Sequence, residues 1–299
     1  MNTNLEIIKS NISTKSIFDN LDISDQTRID YQYRINKFVE FANECGLNRN
    51  SFLDFKKWLS SRNDYSASTK NKYLATARIF LKELNRLGYL PVDITQNIKS
   101  FNQDKKHKKD GLNDREIIML IESLKKIPPT SKSTRLKAIV SLLTLQGLRQ
   151  IEISRLDVKD LDLVSKVVFV QGKGRDDKEI VNLHPETVKS LIEYLRVNKI
   201  ADGALFISGS NNSKNHRLTT RSIRAIVQKN LKSLEIDRTV HGFRHYFTTK
   251  LIESYKGDLL EVARYTRHKN LEMLQVYNDR IRQKEDLPRF YQAFSNLNF

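Results

Sequence analysis

A single cysteine, Cys45, stands in the whole chain. It cannot close an intramolecular disulfide, it excludes a cysteine-rich metal site, and it fits a reducing cytosol; no catalytic role is expected of it. Glycine (10) and proline (5) are scarce among 299 residues, which excludes collagen-like and low-complexity chains and leaves long stretches free to be helical. Long apolar runs are missing too. The longest, Ala138 to Leu145, is broken by Ser141 and Thr144 and falls far short of the roughly 20 residues that cross a bilayer. The opening stretch MNTNLEIIKSNISTKS has no apolar core of signal-peptide length, so a cytoplasmic location without a membrane partner is expected. His107 and His245 lie at no metal-ligand spacing from the cysteine, and no metal site is expected.

Negative charge is in deficit: 52 Lys and Arg stand against 35 Asp and Glu, a net +17. Residues 1–104 hold 15 basic and 12 acidic side chains, residues 105–109 add four lysines, and residues 110–299 hold 33 and 23. The excess is spread along the chain rather than confined to a tail. That is the pattern of a folded protein whose faces follow phosphate over a long path, so nucleic acid is the expected partner. A chain of this length also exceeds one ordinary core, and two domains are expected.

Residues 1–102 read as a bundle of four or five helices. Ile29, Tyr33, Phe38 and Phe41 recur at helical spacing from Thr27 to Cys45, and Gly46 ends the pattern. Asn50 or Ser51 caps a segment with Leu53, Phe55, Trp58 and Leu59 on its apolar face. Ser68 opens a longer helix carrying Tyr73, Leu74, Ala77, Phe80, Leu81 and Leu84. Lys70, Lys72 and Arg78 on that helix are candidate DNA contacts, or simply a solvated face. Residues 103–111 read as a linker whose Lys105, Lys106, Lys108 and Lys109 add candidate phosphate contacts. From residue 112 a second domain runs to 299. The pair Asn113 and Glu116 marks a capping box opening a helix over Asp114 to Lys125, and a buried helix over about Ser133 to Gln146 ends at Gly147. Val167 to Val170 and Ile180-Val181 predict an antiparallel hairpin with Lys173 in its turn, and Ala204 to Ile207 is a candidate third strand. The rest reads as helical, closing with separate segments at Leu271 to Tyr277 and Leu287 to Phe294. The fold class is therefore mainly α with a small antiparallel β-sheet.

Several residues of this second domain suit phosphoryl transfer without a metal. The pentacoordinate transition state concentrates negative charge on its non-bridging oxygens, and a guanidinium fork holds two of them while staying charged. Arg149 and Arg244 are the candidates. Arg149 follows a buried helix and needs an anionic partner. His241 and Arg244, three apart at the start of a helix, share a face and reach one phosphate. A tyrosine hydroxyl is a weak nucleophile until cations and hydrogen bonds activate it, and a lysine on a hairpin turn is a reasonable acid for the departing 5′-oxygen. Taken singly, each has a quieter reading: an Arg149–Glu152 structural ion pair, a helix-capping His241, an exposed loop lysine at 173, a surface His268, a Tyr277 with its hydroxyl at the rim.

In order, Gly147-Leu148-Arg149-Gln150-Ile151-Glu152-Ile153 with Leu156, Lys173 in its hairpin, His241-Gly242-Phe243-Arg244-His245, and His268 nine residues before Tyr277 resemble the blocks of the tyrosine recombinases, the phage-integrase and Xer-type enzymes. Ser66 to Leu87 is similar to part of that family's core-binding domain, so the resemblance spans roughly residues 25–295. It implies a helical core-binding domain and a catalytic domain that close as a clamp on duplex DNA. It implies Tyr277 as nucleophile, Arg149 and Arg244 as clamps on the scissile phosphate, Lys173 as general acid, and His241 and His268 in phosphate contact or proton handling. Glu152 would orient Arg149 or His241. The reaction so implied is site-specific recombination through a 3′-phosphotyrosyl intermediate and a Holliday junction, with no cofactor, metal or ATP. Four protomers would synapse two specific sites, and the tail, residues 286–299, would dock on a neighbouring protomer. A catalytically silent DNA-binding protein of the same fold, or a type IB topoisomerase-like enzyme, are the alternatives. The family commonly has Leu-Gly before the third-block histidine, where this chain has Thr266-Arg267, and often a histidine two after the tyrosine, where it has Asp279; Arg267 would then alter the local turn or contact DNA.

Overall fold

In a computed structural model, the structure describes residues 14–103, 111–172, 177–209, 215–268, 270–293 and 295. The chain divides into two compact units with the boundary between residues 105 and 106.

The described part of the first unit contains four helices: α1 (Thr14–Asp19), α2 (Asp25–Cys45), α3 (Ser51–Ser61) and α4 (Ala67–Arg86). Ser24 caps α2 by accepting from the Thr27 N–H, and Gly46 stops it at φ +78°. Ser66, not Ser68, caps α4, because its hydroxyl accepts from the Thr69 N–H. Phe38, Phe41, Phe55 and Phe80 make the core as expected, with Phe38 and Phe55 edge to face at 5.1 Å. Ile29 and Tyr33 of the same expected pattern are exposed, because the buried face of α2 runs through Ile35, Phe38, Phe41 and Ala42. Leu53 departs from its expected place and is exposed, since the face of α3 that meets α2 carries Phe52, Phe55 and Leu59 instead.

In the second unit, α5 (Asp114–Lys126) begins with the expected reciprocal capping box of Asn113 and Glu116. Next comes α6 (Ser131–Leu145), capped by Thr130 and buried along most of its length. A helix apolar on all sides has to be surrounded, and α6 packs against α7 (Gln150–Arg155), α8 (Pro185–Asn198), α9 (Thr220–Ser233) and α10 (His241–Ser254). The sheet has the order β1 (Leu161–Asp162), β2 (Val167–Gln171), β3 (Lys178–Asn182), all antiparallel, with Phe169 opposite Ile180. Its third strand is therefore Leu161–Asp162 and not Ala204 to Ile207. Ala204 and Ile207 form only isolated bridges, to Asp157 and Arg217.

The chain closes with α11 (Leu259–Thr266) and α12 (Glu272–Gln292). Here the expectation of two segments is corrected, for α12 is continuous through the polar stretch Asn278 to Asp286 and past Pro288. Arg, Gln, Lys and Glu are good helix formers whether or not they are buried, so loss of apolar periodicity does not end a helix. A small cluster of Ile252, Val262 and Leu274 ties α10, α11 and α12 together, with Tyr277 packed against it.

Candidate active site

Buried α6 must turn sharply before Arg149. Gly147 makes that turn at φ +59°, and a Cβ there would lie 2.3 Å from the Phe247 ring, so the position requires glycine. The turn delivers Arg149 to the N-cap of α7. Three residues on, Glu152 reaches back: one carboxylate oxygen accepts from the Arg149 backbone N–H and the other from its guanidinium, both at 2.8 Å. The Glu152 side chain is wholly buried, whereas that of Arg149 stays 34% exposed. Of the two expected partners for Glu152, the structure supplies Arg149. The ion pair and the phosphate clamp are thus compatible readings of one arrangement.

A second cation shares this carboxylate. Arg267, which caps α11, donates to Glu152 Oε2 at 2.8 Å. Its backbone is left-handed at φ +57°, where an L side chain costs about 1–2 kcal/mol and where the related blocks commonly carry glycine. The ion pair offsets that strain. Burial pushes the Glu152 carboxyl up, but the Arg267 charge first, then the Arg149 N–H and guanidinium, hold it below the usual carboxylate range. Arg267 does set the local turn, yet its side chain is 7% exposed and faces inward rather than towards a ligand surface. Its Nε and Nη1 have no hydrogen-bond partner among the described residues.

Arg244 joins the blocks physically. It sits in the first turns of α10, is 4% exposed, and donates from Nη1 to the Gly147 carbonyl at 2.7 Å and from Nη2 to the Thr266 carbonyl. Burial, followed by the charges of Arg149 and Arg267, lowers its pKa to about 10, so it stays cationic at neutral pH. Three guanidinium charges thus lie close to one carboxylate, and two of them, Arg149 and Arg267, are bonded to it. This excess of positive charge is prepared for an anion before any ligand arrives.

His268 follows Arg267 and places Nδ1 2.7 Å from the Thr266 hydroxyl, which itself donates to the Val262 carbonyl. Burial first, then Arg244, Arg149, Arg267 and His241, lower the His268 pKa to about 4. The imidazole is therefore neutral at pH 7 in the free protein. In an NMR titration its midpoint is expected near 4, and adding duplex DNA should raise it, because phosphate screens the arginines; a midpoint near 6.5 without DNA would overturn this account. Between those values the unfolded chain binds more protons than the folded one, so this group costs stability as the pH falls from about 6.5 towards 4.

Tyr277 lies in the second turn of α12, one turn beyond buried Leu274. Its hydroxyl is hydrogen-bonded to His245 Nδ1. Burial pushes the phenol well above its usual range, and Arg244 pulls it back in part. The residue is half-buried rather than exposed. His241 is the first residue of α10 and exposed; the cap position belongs to Val240. The His241 ring stands edge-on to that of His245 with centroids 4.7 Å apart.

The residues expected from the sequence thus gather as Arg149, Glu152, Arg244, His268 and Tyr277, with His241 beside them. His245 is the residue the sequence reading passed over as a site group. Its position four after His241, on the same helix face, was the available signal. Lys173 lies outside the described residues, as do Lys105, Lys106, Lys108 and Lys109. Arg155, at the end of α7, donates to the carbonyl of Gly172, the last described residue before Lys173, at 3.1 Å. In the first unit Lys72 is exposed. Lys70 donates to the Ser60 carbonyl at 2.9 Å, and Arg78 donates to the Ile98 carbonyl and lies over the Phe52 ring.

Residues 112–284 match the phage integrase family, and residues 15–88 match the phage integrase N-terminal SAM-like domain. Among curated proteins the chain is 36% identical over 163 residues to the tyrosine recombinase XerC of Shewanella amazonensis, a match spanning 52% of this chain and about half (53%) of that relative. It is 27% identical over 280 residues to XerC of Actinobacillus pleuropneumoniae, covering 89% and 88% of the two chains. Among solved structures, XerH bound to a palindromic difH substrate in a post-cleavage complex aligns with a TM-score of 0.75 at 20% identity, covering 96% of this chain and 86% of that one. A lambda integrase dimer on a COC′ core site aligns at 0.67 and 14% identity, covering 93% and 95%. These alignments establish the shared fold, and the family match over residues 112–284 shows that this chain belongs to the phage integrase family of tyrosine recombinases.

Proposed function

We propose that this protein cleaves and rejoins duplex DNA at a specific recombination site, with Tyr277 attacking the scissile phosphate to form a 3′-phosphotyrosyl ester. The observation that carries the reading is Arg244: one buried cation anchored on the carbonyls of Gly147 and Thr266 links the first block, the second and the third. Arg149 and Arg244 stabilise the charge that develops on the non-bridging oxygens, and Glu152 fixes Arg149 from behind. His268, neutral in the free protein, contacts the phosphate or handles a proton there, and exposed His241 supports the same phosphate. Lys173 is proposed as the acid that protonates the departing 5′-oxygen. That oxygen, or its counterpart on a second duplex, later attacks the phosphotyrosyl bond and reseals the strand, so neither metal nor ATP enters the scheme. The gathering of Arg149, Glu152, Arg244, His268 and Tyr277 supports catalysis over a silent DNA-binding role.

Residues 1–102 act in this scheme as a core-binding domain, residues 103–111 as the basic linker and residues 112–299 as the catalytic domain, the two domains closing on the duplex. Lys70, Lys72, Arg78 and the four linker lysines are the proposed backbone contacts, and the cytoplasm, where the DNA lies, is the proposed site of action. The testing experiment offers the full chain a nicked suicide duplex carrying its site. A covalent adduct whose protease fragment maps to Tyr277 supports the reading, and an adduct at another residue overturns it.

Tetrameric assembly through the tail is part of the same proposal. From Arg282 to Ala293 every described side chain of α12 is exposed, including Leu287, Phe290 and Tyr291 on one side. An apolar stripe of that kind suits burial against a neighbouring protomer. Deleting residues 286–299 is expected to weaken cooperative assembly on paired sites more than binding to a single half-site, as gel-shift titrations would read it. Equal loss in both would count against the docking.

A further inference from the structure

The nucleophile must lose a proton, and the site shows where that proton can go. A free phenol has a pKa of about 10, and burial pushes that of Tyr277 higher, an effect that Arg244 offsets only in part. A phenol in this setting reacts when a base takes its proton as the new bond forms. His245 Nδ1 is in direct hydrogen-bond contact with the Tyr277 hydroxyl. Of the other two histidines at the site, His268 has its Nδ1 against Thr266, and His241 is exposed at the start of α10.

His245 is also held firmly. It is nearly buried, and the chain entering the catalytic unit closes behind it, so that a Cβ on Gly111 would fall 2.7 Å from His245 Cβ. Leu112 donates its backbone N–H to the Gly242 carbonyl at 3.3 Å, one helical turn before. The His241 ring stands edge-on beside it, and Arg244 precedes it in the chain. A base positioned this closely keeps its aim during attack.

We propose that His245 is the base that accepts the Tyr277 proton during DNA cleavage, a step that rests on Tyr277 being the nucleophile. The Tyr277 O–H bond breaks and its proton passes to Nδ1, giving an imidazolium. The phenol oxygen bonds to phosphorus, the bond from phosphorus to the 5′-oxygen breaks, and that oxygen takes its proton from the Lys173 ammonium. In rejoining, the 5′-hydroxyl returns its proton to the Lys173 amine as its oxygen bonds to phosphorus, the phosphotyrosyl bond breaks, and the imidazolium gives its proton to the departing phenol oxygen. Nδ1 can accept only when the resident proton is on Nε2, so that tautomer is the active one.

The test measures single-turnover adduct formation by the full chain on a nicked suicide duplex, with DNA binding measured for each variant. His245→Phe is expected to slow the step by about 10²–10⁴-fold. His245→Asn, whose amide can hold the hydroxyl but take no proton, should be slowed in the same range. Placing the more acidic 3,5-difluorotyrosine at position 277 should then recover about tenfold or more in the His245 variants and change the parent rate little, because a more acidic phenol needs less help from a base. An asparagine variant at the parent rate, or a deficit equal with both tyrosines, overturns the proposal and makes His245 a packing group. If His245→Phe fails to bind DNA, the asparagine variant alone decides. An adduct that persists in Tyr277→Phe would instead sink the underlying nucleophile assignment.

Discussion

Tyr277→Phe is expected to abolish the covalent protein–DNA adduct while leaving DNA binding and the fold in place. The reason is local. The ring of Tyr277 packs against Ile252, Val262 and Leu274, and phenylalanine preserves that packing. What is lost is one hydroxyl, the group that bonds to His245 and the atom proposed to attack phosphorus. Leaving His245 without this partner costs about 1–3 kcal/mol at most, which a catalytic unit of this size should tolerate with a fall of a few degrees in Tm. Denaturing gels after incubation with a suicide duplex read the adduct, and gel shifts on the same duplex read binding. Loss of both together would mean that the hydroxyl holds the site in shape rather than performing the chemistry.

Glu152→Ala is expected to have the largest effect on stability. The carboxylate is fully buried and accepts from the Arg149 backbone, the Arg149 guanidinium and Arg267. Removing one member of a buried ionic group typically costs about 3–5 kcal/mol, here because Arg267 would remain buried opposite Arg244 with no counter-charge. A drop in Tm of roughly 10 °C is expected, together with loss of cleavage, since Arg149 loses the contacts that aim it. Glu152→Gln keeps the acceptor geometry on one side and removes only the charge, so it should fall between alanine and the parent in both thermal unfolding and adduct yield. Full stability in the alanine variant would show that the three arginines do not depend on this carboxylate.

Much of the fold was legible in the sequence because it rests on local chemistry. The capping box at Asn113 and Glu116, the stop at Gly46 and the buried centre of α6 follow from orphan backbone groups, left-handed turns and apolar periodicity. Three departures have a common origin. The third strand is Leu161–Asp162, two residues set by the partner they pair with rather than by their own pattern. The last helix runs through a polar stretch because propensity sustains it where packing does not. Leu53 is exposed because the neighbouring helix meets the other face of α3.

The site divides in the same way. Residue types, order and spacing identified Arg149, Glu152, Arg244, His268 and Tyr277 as one constellation and the family to which the chain belongs, since phosphoryl transfer limits which side chains can serve and the blocks recur in fixed order. Sequence also showed that Thr266-Arg267 was unusual. Only the tertiary structure decided what the pair does: the Thr266 carbonyl and hydroxyl hold Arg244 and His268, while Arg267 turns inward to share Glu152 with Arg149. Likewise, His245 becomes a partner of Tyr277 only when α10 and α12 pack across a gap of 32 residues in the chain. Spacing along a helix places groups on a face, but contact between faces depends on how apolar surfaces from distant segments pack, and that packing sets which proton, charge and lone pair meet.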